Sequence, residues 1–176
     1  MRYMIYFYGV NPSDYQSAVK EHDIVSRVLA RAKQKQGLTD QNLCEIRRLV
    51  EAGVAGNWPD STAPDGFVAF HWLMETVAEP IVVERLLDFR KWSYWESTGL
   101  WEYFLAEPAP FPVPKSPNRV PNVGYLSVSS MRQLLETAGP RNLDNDNDSR
   151  AVRIEVNEII ESLVQDELAM FAIALD

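Results

Sequence analysis

The sequence is poor in the residues that carry most protein chemistry. Its 176 residues include one cysteine, Cys44, and two histidines, His22 and His71. A single cysteine excludes an internal disulfide and a cysteine-based zinc site, and its natural setting is a reducing cytoplasm. Two histidines with no second at ligand spacing argue against a metal enzyme. No phosphate-cradling glycine loop and no nucleophile-elbow pattern occur, which disfavours nucleotide chemistry and the commonest serine hydrolases. No apolar run approaches the roughly 20 residues that cross a bilayer, so no membrane role is expected. The apolar opening is short and no small-residue cleavage site comes after it, so it reads as a strand rather than a leader. Positive charge is also scarce. Lys and Arg number 17 against 25 Asp and Glu, a net charge of −8. That balance works against nucleic-acid binding, which relies on cations neutralising phosphates. It suits a basic protein partner, and equally plain solubility.

The residues that are present describe a globular chain. Apolar residues make up 46% and charged residues 24%, enough for one domain with a real core over 1–176. Residues 2–10 are apolar or aromatic at nearly every position and end at Gly9 and Asn11-Pro12, the pattern of a strand buried on both faces. Most of the later segments have helical spacing. Ser13 or Asp14 opens a stretch towards Gln36, with Val25, Val28, Leu29 and Ala32 as its stripe. Thr39 or Asp40 caps the next helix, striped by Leu43, Ile46, Leu49 and Val50. Turn residues make Gly53 to Gly66 a loop. Asp65 opens another helix with Phe67, Phe70, His71, Met74 and Val77 on one face. Pro80 fits the first turn of a further one.

Six prolines between 108 and 121 exclude helix and central strand there, leaving an extended strap against the domain. Val123 to Leu126 reads as a short extended piece, and Ser130 to Gln133 as a capping box. The longest helix carries Val152, Val156, Ile159, Ile160 and Leu163. Residues 170–175 form a second apolar strand, placed beside the first. The fold class is therefore α+β, mainly helical, with a small sheet formed by the two end strands.

The stretches Met1–Val10, Phe70 to Leu73, Val123-Gly-Tyr-Leu-Ser-Val-Ser-Ser130 and Val156 to Leu175 together resemble bacterial YfbM-like domains of unknown function. These have an opening strand, a Gly-Tyr-Leu-Ser/Thr element leading into a helix, and a terminal helix and strand. The resemblance implies an α+β fold and brings no catalytic residue with it. The Trp-rich middle and the proline strap depart from that pattern.

Two groups of residues have a chemical reading. Counting Asp144 as the first position, carboxylates at Asp144, Asp146, Asp148 and Glu155 match the ligand spacing of a calcium loop preceding a helix. Ser149 replaces the glycine that such a loop's turn calls for. The competing reading is a polar loop that caps the last helix. The aromatic stretch from Trp92 to Phe104, with Trp95, Trp101 and Tyr103, offers anchors for a ligand or partner, joined by Trp58, expected to be partly exposed in its Pro/Asp loop, and by His71. Packing explains the same i, i+3 pairs. The function expected is thus non-catalytic: an acidic module, of immunity or inhibitor type, that covers a basic protein. A small-molecule-binding protein or hydrolase with a pocket beside the Trp/Tyr segment is the first alternative, and a calcium-binding loop at 144–155 the second. No cofactor is expected beyond that calcium, and the sequence sets no oligomeric state.

Overall fold

A computed structural model of the chain describes residues 4–34, 37–59, 65–81, 108–115, 122–130, 133 and 169–175. Helices provide most of the regular structure among these residues. Strand β1 (Met4–Val10) leads into α1 (Pro12–Ala18), α2 (Ile24–Lys33), α3 (Asp40–Val54) and α4 (Asp65–Val77), followed by β2 (Glu79–Ile81), β3 (Asn122–Ser127) and β4 (Ala169–Leu175).

The strands form one antiparallel sheet in the order β2-β1-β4-β3. Val10 lies opposite Ala169 and Met4 opposite Leu175, while Ser127 pairs with Ala169 on the other side of β4. The sheet therefore has four strands where two were expected. Pro80 belongs to β2, opposite Tyr8, and does not open a helix. Proline lacks an N–H and is tolerated on an edge strand, where one side of the ladder has no neighbour to bond. The expected helix around Val83 to Arg90 lies outside the described residues.

The first helical stretch is broken in two. Asn11, rather than Ser13 or Asp14, caps α1, its side-chain oxygen accepting from Ser13 N at 2.9 Å and Asp14 N at 3.3 Å. Beyond Ala18 the bonds tighten to three-residue spacing, with Lys20 N to Ser17 O and Glu21 N to Ala18 O both 3.1 Å. This turns the chain before α2 begins. The predicted α2 stripe still faces inward, with Val28 and Ala32 fully buried and Val25 and Leu29 partly so.

Helix α3 is capped by Thr39, one of the two expected caps, which forms a reciprocal capping box with Asn42. It runs on to Val54, just past the Gly53 at which a loop was expected to begin. Gly56 adopts a φ of +84°, Asn57 N bonds Ala52 O at 2.8 Å, and Gly56 N bonds Gly53 O at 2.9 Å. Those two bonds and the left-handed glycine make a Schellman stop.

Helix α4 is the centre of the domain. A one-sided stripe was expected, yet Gly66, Phe67, Ala69, Phe70, His71, Trp72, Leu73 and Met74 are all buried. A helix apolar around most of its circumference must be covered on most sides. Helices α1, α2 and α3 and strands β1, β2 and β4 all pack against it.

The described part of the proline strap, residues 108–115, is held down by aromatic contacts. Phe111 is buried and stacks on Tyr15 at 3.6 Å between ring centres. Pro114, the first proline of a formal P-x-x-P motif, is buried. Trp58 was expected near the surface and is only 9% exposed. Its indole N–H donates to Pro112 O at 3.1 Å, and its ring meets Phe70 edge-on. Gly53 makes this possible, because a Cβ there would fall inside the Trp58 ring.

Residues 128–130 are helical directly after β3. The cap is Ser127, whose Oγ accepts from Ser130 N at 3.1 Å, rather than the expected Ser130.

Candidate functional site

The one concentration of polar chemistry inside the described core is made by β1, α4 and α2. Alternation along β1 puts Tyr6 and Tyr8 on the same face. Helical spacing puts His71 and Glu75, four apart, on one side of α4. Where the two elements meet, the Tyr8 hydroxyl makes a short hydrogen bond with His71 Nδ1 and donates to Glu75 Oε1 at 3.3 Å. Tyr6 packs its ring against His71, with centroids 4.3 Å apart. From α2, Arg31 Nη2 reaches Glu75 Oε2 at 3.3 Å.

The protons of this cluster can be counted. A phenol has one hydrogen and here two neighbours that would take it. A carboxylate is the stronger acceptor, so the hydrogen goes to Glu75. His71 must then carry its hydrogen on Nδ1 and donate to the Tyr8 oxygen. The imidazole is 7% exposed. Burial pushes the Tyr8 phenol well above the ordinary tyrosine value, and the neighbouring Glu75 charge pushes it further. Tyr6 is raised for the same two reasons, burial first.

A nucleophilic hydroxyl needs the opposite treatment. In a hydroxyl–histidine–carboxylate relay the carboxylate orients the imidazole, which then removes the hydroxyl proton. Here the carboxylate bonds the hydroxyl and, like burial, disfavours its ionisation. The arrangement works as a clamp between sheet and helix, with Arg31 compensating the Glu75 charge where the helix side chain nears the surface.

Of the residues singled out in the sequence, His71 belongs to this clamp. Trp58 meets α4 one residue away, at Phe70, but its polar atom is directed to the strap. Trp95, Trp101 and Tyr103 lie outside the described residues, as do Asp144, Asp146, Asp148 and Glu155. His22 is exposed on the turn between α1 and α2. Among the described residues no three His, Cys, Asp or Glu side chains are grouped to hold a metal ion, and no helix is long and apolar enough to cross a membrane.

Tyr6, Tyr8, Arg31 and Glu75 were missed by sequence reasoning. The available signal was local: an i, i+2 tyrosine pair in a buried strand, and an i, i+4 His–Glu pair on a helix. Nothing local says that the two pairs meet across more than sixty residues.

No curated protein and no solved structure matches the chain. A family model does match, over residues 1–170, and its description is a domain of unknown function, DUF7691. The chain belongs to that family.

Proposed function

We propose that this domain is a non-catalytic, cytoplasmic binding module that covers a basic protein, in the manner of an immunity protein or inhibitor. Charge carries the reading. Three of the described arginines are already matched, Arg27 by Glu21, Arg31 by Glu75 and Arg48 by Glu45. Exposed Asp14, Asp23, Glu51 and Asp65 have no ion-pair partner among the described residues. With a net charge of −8, the surplus is available to steer a cationic partner and to hold it at the rim of an interface. The clamp is consistent with this, since its hydroxyl is kept protonated and its histidine is held by that hydroxyl and by the Tyr6 ring. Kinship with YfbM-like domains is part of the same proposal, resting on the Val123–Ser130 element with its strand, Ser127 cap and helical start.

The test is affinity capture from the native host at low and high ionic strength. A basic protein retained at low salt and released at high salt is the expected result. Capture of no salt-sensitive basic partner would remove this function.

A further inference from the structure

Helices α2 and α3 leave an open groove of about 370 Å³ between them. Leu29, Ala30 and Lys33 come from α2, and Asp40, Leu43, Cys44 and Arg47 from α3. The α3 set has the i, i+3, i+4, i+7 spacing of one continuous stripe. Leu29 and Leu43 are partly buried and packed against the core, so they give the groove a fixed apolar floor.

Its charged residues include Lys33 and Arg47, two of the four described cations without an ion-pair partner, the others being Lys20 and Lys115. Carboxylates outnumber cations, and Arg27, Arg31 and Arg48 each find one. Lys33 and Arg47 have no ion-pair partner among the described residues, although Asp40 lines the same groove. Lys33 ends α2 and Asp40 opens α3, so the short connection keeps these opposite charges at one end of the helix pair. Arg47 lies seven residues along α3 from Asp40, about 10 Å at the rise of a helix. It is therefore the cation least compensated by Asp40. A planar guanidinium is also well suited to a carboxylate, which it can bind through two parallel hydrogen bonds.

From this we propose that the α2–α3 groove is a binding site for a small carboxylate with an apolar tail, its head on Arg47 and its tail along Leu43 and Leu29. The groove's volume is within the range of small-molecule sites. The site is separate from the clamp and does not depend on the protein-binding function proposed above.

Cys44 supplies a built-in reporter. It is the only cysteine in the chain, it is exposed, and it lines the groove. A seated ligand must slow its reaction with a neutral alkylating reagent. The experiment measures the rate of Cys44 alkylation by iodoacetamide in the full chain, with octanoate or decanoate titrated below micelle formation. At about ten times the dissociation constant, mass action slows the reaction roughly tenfold if ligand and reagent exclude one another. The alcohol of the same chain length should protect far less. Arg47→Gln should right-shift the protection curve strongly and Lys33→Gln weakly, with far-ultraviolet circular dichroism confirming that each variant is folded. Should Arg47→Gln fail to fold, the carboxylate–alcohol comparison on the unaltered chain decides alone. Absence of saturable protection, equal protection by the alcohol, or a curve unmoved in folded Arg47→Gln would each overturn the assignment.

Discussion

Two junctions hold α4 in place, and they are built from opposite materials. On one side the clamp of Tyr8, His71, Glu75 and Arg31 ties the helix to β1 and α2 through hydrogen bonds and an ion pair. On the other, Trp58 wedges between Phe70, Gly53 and the strap, with one hydrogen bond to Pro112 and a neighbouring stack of Tyr15 on Phe111. Aromatic packing contributes mainly through buried area, with a smaller share from ring geometry. A buried polar network has low net worth but a high penalty when incomplete. The apolar junction should therefore dominate stability, and the polar one should set how strand and helix align.

The most direct way to break this contrast is Trp58→Ala. It empties an aromatic site and leaves the Pro112 carbonyl without its donor, so a loss of about 3–5 kcal/mol is expected in urea unfolding. If the loss were smaller than that of any clamp substitution, the ranking would be reversed.

Alkaline unfolding compares the buried phenols of the two junctions. Tyr8 and Tyr15 both titrate above their ordinary value of 10.0, Tyr8 through burial and Glu75, Tyr15 through burial alone. The folded state thus keeps protons that the unfolded chain releases. The associated stability is complete below pH 10 and declines as pH rises above it. Each tyrosine contributes a slope of about 1.4 kcal/mol per pH unit in that range. Tyr8→Phe and Tyr15→Phe should each flatten the curve by that amount, measured as unfolding midpoints from about pH 9 upward. An unchanged slope in either variant would show that its phenol is not shielded.

Within the clamp, Tyr8→Phe should cost about 1–2 kcal/mol near neutral pH, because His71 and Glu75 lose a shared partner. A double-mutant cycle with Glu75→Gln should return a coupling of about 1 kcal/mol. Zero coupling would mean that the 3.3 Å contact contributes nothing.

The smallest effect is expected at Trp72. Its indole nitrogen is buried with no hydrogen-bond partner among the described residues. Trp72→Phe gives up some buried area but also removes an unsatisfied donor, so the two effects offset to within about 1 kcal/mol. A much larger loss in thermal unfolding would point to a role for the ring's full size.

Legibility in the sequence tracked the range of the interaction. The Thr39 cap of α3, one of two candidates there, and the Val28/Ala32 stripe are decided within one or two helical turns, so local pattern pointed to them. The break after Ala18 was harder, since apolar residues continue at helical spacing across it and the Asn11 cap lies before the proline. Pro80 was misread because a helix start and an edge strand tolerate the same missing N–H, and only pairing with Tyr8 chooses between them. Trp58 looked exposed among turn residues because the carbonyl that satisfies it belongs to Pro112, over fifty residues away. The clamp was illegible for the same reason: Tyr8 and His71 become neighbours only when sheet and helix pack.

The sheet's order has a consequence for how the protein is made. Its two inner strands are β1 and β4, and Val10 pairs with Ala169. At ribosomal speed the roughly 160 intervening residues take about 8–30 s to emerge. Throughout that interval β1 lacks its central neighbour, and α1 to α4, which end at Val77, become available to shelter it only in the course of the first half. Nascent chains halted before residue 169 should therefore recruit ribosome-associated chaperones to the opening segment, and release them once β4 is free to pair with it.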